Sequence, residues 1–390
     1  MRKNVNVIGA GVSGLTTALE LQNDRFQVTV IADRFPGDLS IDYCSPNAGA
    51  QWRGDGRYAP GSLDAKIHGY TFKKLYNLAE TVPASSVTCM NLEEYVDDTE
   101  ASSHKDPWFK DLVPNVIPQA QLPAGAKSGI SYTTVAIDVP KYLKWLLQQF
   151  IAAGGKTQRC HLAHVKGAFG ENVDVVVNCT GIRARTLGGI EDQTVYPTRG
   201  QTILVWAPHV KSMKTLTNAI PFGYSRLCGI SYIDEDVVKT DMRPLRQAMM
   251  LVEIYLLYRR NDFLTPNVRM ASSGNVILGG TMDDNRFDLF PDKEIAEGII
   301  RRCTALYPAL TAGKELEIIS HNVGLRPSRV KGLRLETEIA KNAAGKEIII
   351  CHNYGHHSYG YQASWGASNE ALQLIKKALS SQGKDVESKL

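Results

Sequence analysis

Three glycines near the start of the chain, Gly9, Gly11 and Gly14, have the spacing of a dinucleotide-binding turn. They follow an apolar run at residues 5–8 and precede a stretch with helical spacing at 12–22. In such a turn the first glycine permits the tight bend, the second lets a pyrophosphate approach the backbone, and the third lets the helix pack on the strand. The N–H groups at the positive end of the helix would then bind the phosphates. The predicted phosphate-binding residues are Gly9, Ala10, Gly11, Val12, Ser13 and Gly14.

An acidic residue, Asp33, follows a second predicted strand at residues 28–32. Dinucleotide-binding proteins hold a ribose hydroxyl with an acid about 20 positions after the glycines. Asp33 could instead be an ordinary turn residue at a strand end, but the order of strand, turn, helix, strand and acid favours the ribose contact. The pattern predicts an adenine dinucleotide with a free 2′-hydroxyl, which leaves FAD and NAD open.

Four further stretches predict the layered α/β body that would position this turn. Residues 138–153 form a predicted amphipathic helix, with Pro140 near its start and two glycines as its stop. Residues 173–178 and 347–351 are continuous apolar runs, as expected for strands that are covered on both faces. A final helix begins at about Gly360. This combination of buried strands and helices is typical of a Rossmann-like domain.

Two intervening regions differ in composition from this body. Residues 53–137 are rich in Tyr, Pro, Ser and Asp, with one helical stretch near 65–79, and residues 194–317 carry strand-like segments. We interpret them as a mainly antiparallel-sheet substrate domain inserted into the Rossmann-like domain, so the predicted fold class is α/β. The predicted domains are a discontinuous nucleotide-binding domain at 1–52, 138–193 and 318–381, a substrate domain at 53–137 and 194–317, and a flexible tail at 382–390.

Composition argues against several classes of function. The 390 residues carry a formal net charge of +4 without a basic cluster interleaved with aromatic residues, so nucleic acid is not a predicted partner. The longest apolar stretch, residues 249–258, is interrupted by Glu253 and is shorter than the roughly 18 residues of a membrane span, so no span is predicted. Seven cysteines without zinc-type spacing indicate reduced thiols, and no metal site is predicted.

Seven motifs occur in one order along nearly the whole chain: VIGAGVSGL, IADRFPGDLS, SPNAGAQW, VVVNCTGIRAR, YPTRGQT, VGLRPSR and HNYGHHSYGYQASWGAS. Together they resemble the D-amino-acid oxidase family, which includes D-aspartate oxidase, and its fungal members in particular. The resemblance implies non-covalent FAD and oxidative deamination of D-amino acids to 2-oxo acids and ammonia, with O₂ reduced to hydrogen peroxide. It also implies hydride transfer from the substrate Cα to flavin N5 without a side chain as acid or base, and it leaves a homodimer open.

Arg326, in VGLRPSR, matches the family arginine that binds the substrate α-carboxylate. A guanidinium suits this role because its planar fork donates two parallel N–H bonds and so fixes the direction of the Cα–H bond. Ser358 matches the residue that receives the substrate amino group, Gln362 the one whose side chain contacts flavin O2, and Val165 a strand residue whose backbone contacts adenine. Beyond the glycine turn, the positions that match flavin contacts are Asp33, Arg34, Ser40, Ala48, Gly49, Gln51, Val165, Thr180, Gly181, Arg326, Gly355, Ser358, Tyr359, Gly360, Tyr361 and Gln362.

The predicted substrate pocket departs from the family pattern, which places one tyrosine on a lid and another before a short strand. Phe263 is the counterpart of the second tyrosine, so the packing is kept but the hydroxyl donor is lost. Tyr258 or Tyr255 would supply the lid, with core packing as the equal alternative. A flavoprotein that keeps FAD but has lost turnover therefore stays open, as does a glycine or N-methyl amino acid oxidase of the same fold.

Substrate preference depends on the arginines around this pocket. Arg53, at its predicted edge, and Arg259 and Arg260 could each pair with the side-chain carboxylate of D-aspartate or D-glutamate, or be solvated surface residues. Neutral D-amino acids are favoured, and acidic ones are the alternative. His356 and His357 are interpreted as structural, because adjacent side chains point in different directions and no third metal ligand is suitably spaced.

The last three residues of the sequence, Ser388, Lys389 and Leu390, match a peroxisomal import signal and follow a polar segment. We therefore expect the protein in the peroxisomal matrix, with the import receptor as a partner. A peroxide-producing oxidase is a reasonable occupant of that compartment.

Overall fold

A six-stranded sheet carries the glycine turn near its centre. The computed structural model describes residues 2–54, 58–97, 114–217, 267–270 and 273–387. Within them, the strands of this sheet are, in spatial order, β14 (Arg334–Lys341), β15 (Glu347–Tyr354), β7 (Val175–Asn178), β1 (Asn4–Ile8), β2 (Gln27–Ala32) and β6 (Lys156–Arg159). All neighbours are parallel except β14 and β15. The chain leaves β1 toward β2 on one side and returns with β7 on the other, which places a ligand crevice at the carboxyl ends of β1 and β7.

Four helices form where the sequence predicts them. They are α1 (Val12–Asn23), α2 (Leu63–Thr81), α3 (Val139–Ala152) and, at the C-terminal end, α5 (Gly360–Glu387). α1 packs against α3 and α5, and α2 packs against α5. Leu15 of α1, Leu143 of α3 and Ile375 of α5 are all buried in one hydrophobic core. The amphipathic pattern at 138–153 is thereby explained, because its apolar side faces α1.

A second sheet has nine strands. Its strands are β3 (Val87–Val96), β4 (Asn115–Val116), β5 (Ser128–Ile137), β8 (Val195–Trp206), β9 (Met213–Thr217), β10 (Asn267–Met270), β11 (Asn275–Gly279), β12 (Asp283–Asp284) and β13 (Glu317–Arg329). The spatial order is β12-β8-β11-β10-β9-β3-β5-β4, with β13 also pairing with β8, and only β3 and β9 are parallel neighbours. A helix that the sequence did not suggest, α4 (Lys293–Leu306), packs on β8 and β11. The predicted α/β fold with a mainly antiparallel second sheet is confirmed.

Two predicted boundaries differ from the structure. The third nucleotide-binding segment was predicted to start at residue 318, which falls inside β13, a strand of the second sheet. Residues 382–387, predicted as a flexible tail, continue α5. Gly383 alone does not end this helix, because one glycine inside a helix costs only about 1 kcal/mol relative to alanine.

None of the helices in the described part of the chain is both long enough and apolar enough to cross a membrane.

Candidate active site

The glycine turn joins β1 to α1 with almost no space for side chains. Gly9 has a φ of +106°, and a Cβ there would lie 2.6 Å from the carbonyl oxygen of Cys179, directly after β7. A Cβ on Gly14 would lie 1.9 Å from the carbonyl oxygen of Gly9, so α1 packs directly on the turn. At Gly11 a Cβ would lie 2.8 Å from Oγ of Ser45. Gly9 and Gly14 therefore have the steric reasons that the spacing predicts, and at Gly11 the absent side chain leaves room for the Ser45 hydroxyl.

Two residues that the glycine spacing does not indicate, Ser45 and Tyr43, hydrogen-bond to this turn. The hydroxyl of Ser45 accepts the N–H of Val12 at 3.0 Å, and the hydroxyl of Tyr43 donates to the carbonyl of Ala10 at 2.7 Å. Tyr361, from the C-terminal segment, donates to the carbonyl of Ser45 at 3.0 Å. The two ends of the chain thus meet at the N-terminus of α1.

Asp33 lies directly after β2, at the same edge of the sheet. The Arg183 guanidinium hydrogen-bonds to its Oδ2, and Nδ1 of His161 lies 3.3 Å from that oxygen. Burial alone would raise the pKa of Asp33, but the bonds to His161 and Arg183 outweigh it and hold the pKa below its ordinary value. The carboxylate is therefore ionised near neutral pH, with further lone pairs to accept a ribose hydroxyl. Arg34 follows it with Nη1 3.5 Å from the Asp33 carbonyl.

His161 and Arg183 escaped the sequence analysis because they lie 128 and 150 positions from Asp33. Thr180 and Gly181 follow β7, with the Thr180 hydroxyl donating to Asn178 at 2.7 Å and Gly181 at a φ of +58°. They share the sheet edge with the glycine turn, as predicted.

The strand predicted at Val165 is wrong. Val165 begins a short 3₁₀ helix, Val165–Ala168, and its N–H donates to the carbonyl of Gly188 at 2.8 Å. The preceding residue, His164, forms an isolated parallel bridge with Gly188. The backbone N–H of Val165 is therefore used within the protein, and its contact with adenine stays a prediction.

A loop at residues 40–53 connects the glycine turn to the second sheet. The carbonyl of Gly49 accepts a hydrogen bond from the guanidinium of Arg269 on β10, and Gln51 pairs with Ala136 of β5. Gln51 is buried, and its Oε1 has no hydrogen-bond partner among the described residues. The predicted flavin contacts on this loop are Ser40, Ala48, Gly49 and Gln51. A dinucleotide that begins at the glycine turn and follows this loop would reach the second sheet.

Arg326 lies on β13, opposite Thr198 of β8. Its half-buried guanidinium packs against Gly200, where a Cβ would lie 2.5 Å from Nη2, and Nη1 donates to the carbonyl of Thr281 at 2.9 Å. Burial lowers the pKa of Arg326 from its ordinary value, yet a guanidinium stays charged near neutral pH. No carboxylate of the described residues lies within ion-pair distance of it. The site thus holds a cation whose matching anion is not a described side chain.

A second arginine in this region was missed by the sequence analysis. Arg269 is half-buried, its Nη1 binds the Gly49 carbonyl, and its buried Nε has no partner among the described residues. Burial, and then the positive charges of Arg53 and Arg326, lower the pKa of Arg269 to about 10. The short strand NVRM offers no motif that would mark this arginine, because only the fold brings it to Gly49.

The C-terminal segment brings Gln362 to Arg53. The amide Nε2 of Gln362 donates to the Arg53 carbonyl at 2.5 Å and lies 3.0 Å from Nδ1 of His68, while the Arg53 N–H donates to Oε1 at 3.2 Å. The structure therefore gives Gln362 a supporting role beside the site, and its flavin contact stays a prediction. Arg53 lies with its Nε 4.0 Å from Oε1 of Glu94.

The segment before Gln362 turns sharply into α5. Gly355 has a φ of +90°, and Ser358 is exposed, with its Oγ 2.8 Å from Nδ1 of His357. Tyr359 ends the short 3₁₀ helix that precedes α5. A Cβ on Gly360 would find its nearest atom, Cγ1 of Val12, at 3.8 Å. The N-termini of α1 and α5 therefore meet here, and both positive ends favour an anionic ligand.

His356 is buried beside this turn, and burial together with the charge of His68 lowers its pKa to about 4, so it is neutral near pH 7. The described residues contain no group of three or more His, Cys, Asp and Glu side chains that could hold a metal ion. The following predicted residues lie outside the described part of the chain: Tyr255, Tyr258, Arg259, Arg260, Phe263, Ser388, Lys389 and Leu390.

The residues present fit FAD. The glycine cradle at β1 would hold the pyrophosphate, ionised Asp33 the adenosine ribose, and the loop with the unsatisfied Oε1 of Gln51 the flavin end. The cationic side chains of Arg326 and Arg269 lie beside this loop or the strands next to it, where they donate to the carbonyls of Thr281 and Gly49. A dinucleotide cradle joined by one loop to a cationic site on an antiparallel sheet defines a dinucleotide-dependent oxidoreductase.

Comparison with known proteins identifies the family. The sequence profile of the family described as FAD dependent oxidoreductase matches residues 4–374, and the chain belongs to this family. A D-amino-acid oxidase from Fusarium vanettenii is 32% identical over 100% of both chains, and one from Schizosaccharomyces pombe is 31% identical over 95% of this chain and 96% of its own. The crystal structure of glycine oxidase from Geobacillus kaustophilus, 15% identical, superposes with a TM-score of 0.65 over 96% of this chain and 95% of that one.

These comparisons confirm the predicted resemblance, the fold, FAD as the cofactor and the oxidoreductase class. At 15% identity, the likeness to glycine oxidase supports the fold alone. The role of each site residue stays a prediction.

Proposed function

We propose that this protein oxidatively deaminates D-amino acids: amino acid, water and O₂ become 2-oxo acid, ammonia and hydrogen peroxide. The full-length similarity to proteins named D-amino-acid oxidase supports the reaction. The observation that carries the proposal is the half-buried guanidinium of Arg326, which has no carboxylate partner among the described residues. It lies beside the loop that follows the glycine turn, because the N–H of the preceding Leu325 donates to the carbonyl of Ile41.

Arg326 is suited to bind the α-carboxylate. A guanidinium has five N–H donors, and Thr281 uses one of them. Two parallel bonds to a carboxylate would fix both oxygens and thereby the direction of the Cα–H bond, which is how a site gains rate by orientation. Gly200 allows this arrangement, because a side chain there would collide with the guanidinium.

The remaining work of the chain is positioning and electrostatics. When bound, FAD supplies the acceptor for the α-hydrogen as hydride and the route for electrons to O₂. Ser358, exposed at the turn before α5, would receive the substrate amino group through its carbonyl or hydroxyl. The adjoining N-termini of α1 and α5 would stabilise negative charge that develops nearby. No side chain is assigned as acid or base.

The test compares FAD-loaded parent protein with Arg326→Ala and Arg326→Lys. Flavin absorbance is followed without O₂ after addition of neutral and acidic D-amino acids and their L-enantiomers. We expect D-enantiomers alone to reduce the parent. Arg326→Ala should lower kcat/KM by a factor of tens to thousands, since losing such a charged contact typically costs about 2–5 kcal/mol. The lysine variant should recover only part, because an ammonium cannot make two parallel bonds.

The matched control is Arg301→Ala, on the exposed side of α4, with FAD content equalised across all variants. Reduction of Arg326→Ala at the parent rate would refute the carboxylate role. Failure of every D-amino acid to reduce the parent would refute the proposed reaction.

We also propose a peroxisomal location, with Ser388, Lys389 and Leu390 as the import signal. Deleting the three residues should leave catalysis nearly intact and make the protein cytosolic in cells that import this signal. Unchanged peroxisomal import would show that the address lies elsewhere. A homodimer stays a prediction, which analytical ultracentrifugation would check.

A further inference from the structure

We propose that Arg269 binds the side-chain carboxylate of the substrate, and that the preferred substrates are therefore acidic D-amino acids. The inference rests on the proposed function, because it concerns the same site. It replaces the sequence-based preference for neutral substrates, and it moves the specificity role from Arg53 to a residue that no motif marked.

The described contacts of Arg269 leave its charge without an anion. Its Nη1 binds a neutral acceptor, the carbonyl of Gly49, and its buried Nε binds nothing among the described residues. No described carboxylate lies within ion-pair distance of Arg269. Keeping a half-buried cation without a counter-ion is unfavourable, so a ligand that supplies a negative charge is expected here.

The two neighbouring arginines have other counter-ions available. Arg53 has its Nε 4.0 Å from Oε1 of Glu94, a buried carboxylate that also accepts a hydrogen bond from the hydroxyl of Tyr132. Arg326 would be neutralised by the α-carboxylate that every amino acid carries. A neutral amino acid therefore leaves the charge of Arg269 unmatched, whereas a second carboxylate on the substrate matches it.

The two arginines that lack a carboxylate partner among the described residues lie in the same region of the protein. Arg269 projects from β10 to the loop at Gly49, and Arg326 projects from β13 against Gly200 on the neighbouring strand β8. Both arginines approach the loop at residues 40–53, since Arg269 binds the Gly49 carbonyl and the N–H of Leu325, next to Arg326, donates to the Ile41 carbonyl at 3.3 Å. A ligand with a carboxylate at each end would supply both arginines with a counter-ion.

The test uses isosteric pairs of substrates that differ only in charge: D-aspartate with D-asparagine, and D-glutamate with D-glutamine. The kcat/KM of the FAD-loaded parent should be at least about 100-fold higher for the acid than for the matching amide. Arg269→Met should lower that ratio by about 100-fold, and Arg269→Lys should keep part of it. Arg301→Met, an exposed arginine on α4, is the matched control and should keep the parent ratio.

A binding measurement accompanies the kinetics. Succinate and butyrate, which differ by one carboxylate, are titrated into the FAD-loaded proteins while the flavin spectrum is followed. The parent should bind succinate more tightly, and Arg269→Met should lose that preference. If the variant instead lowers FAD affinity and leaves the succinate-to-butyrate ratio unchanged, Arg269 serves the cofactor and the inference is wrong.

The outcomes separate the inference from the proposed function. A parent that oxidises the amides as well as the acids overturns the role of Arg269 and leaves D-amino-acid oxidation intact. A parent that oxidises none of the four substrates, nor any other D-amino acid, overturns both. If Arg269→Met does not fold, the parent ratios and the lysine variant still decide the question.

Discussion

Replacing Gly14 with alanine should damage the cofactor cradle more than any surface change. The added Cβ would lie 1.9 Å from the carbonyl oxygen of Gly9, a backbone atom that cannot rotate away, so α1 must retreat by about an ångström. Overpacking of this kind costs roughly 1–3 kcal/mol of folding free energy. The retreat also withdraws the N–H groups of the first helical turn from the pyrophosphate. Losing one hydrogen bond to a charged group, about 1.5–3 kcal/mol, should weaken FAD binding by roughly 10- to 100-fold.

Gly366→Ala provides the matched control. Its Cβ would lie 2.1 Å from the carbonyl oxygen of Ile67, where α5 crosses α2, so the steric violation is nearly the same but lies away from the turn. Both variants should unfold at lower urea concentration than the parent apoprotein. Only Gly14→Ala should show a greatly raised Kd for FAD, measured by flavin fluorescence where each apoprotein is folded. Equal loss of FAD affinity in both variants, or parent affinity in Gly14→Ala, would refute the reasoning.

Three further changes test other parts of the molecule. Gly360→Ala should leave the Tm of the apoprotein unchanged or slightly raised, since the nearest atom to the added Cβ would be 3.8 Å away. It should weaken FAD binding at least about 10-fold if the flavin packs there, and unchanged FAD affinity would contradict that placement. Asp33→Ala should reduce the preference for FAD over FMN by about 10-fold, because FMN lacks the adenosine ribose, and an unchanged preference in competition binding would remove Asp33 from the cofactor site. For Asp192, burial would raise the pKa, but bonds from Thr194, Arg329 and Tyr354 hold it well below its ordinary value. Its stabilising effect is therefore present above the unfolded pKa near 4 and is lost progressively as the pH falls toward the folded pKa. Asp192→Asn should lower the free energy of unfolding by about 2 kcal/mol at pH 7 and by about 1 kcal/mol less than that at pH 3, and a pH-independent difference would contradict this.

The parts of the fold that sequence predicts well are those with a strong local signal. The apolar run at 5–8 with its glycines predicts a strand and a turn, and the amphipathic stretch at 138–153 predicts a helix. Both form as predicted. β6 (Lys156–Arg159) has four exposed residues and no apolar pattern, because it is an edge strand held by backbone pairing with β2. β13 was not predicted as a strand, since the pairing that forms it comes from β8, more than a hundred residues away.

In the candidate site too, residues with a local sequence signal were predicted and residues placed by distant contacts were not. Gly9, Gly11, Gly14 and Asp33 follow from spacing alone, and Arg326 from the family motif. Arg269 could not be found in this way, because its role depends on a contact with Gly49, 220 positions earlier in the chain. Partnerships of this length are determined by tertiary packing and leave no local mark in the sequence.

The strand order of the six-stranded sheet also constrains when the cofactor can be captured during synthesis. β7 pairs with β1 on one side and with β15 on the other. Val175 therefore pairs with Val5, which is synthesised long before it, and with Ile349, which is synthesised long after it. A ribosome releases β15 only near the end of translation, and until then the nascent chain presents β7 with an open edge that invites pairing with other chains. Pairing over such separations is also slow. Flavin insertion is therefore expected after translation ends, and the growing chain should depend on chaperones that shield this edge.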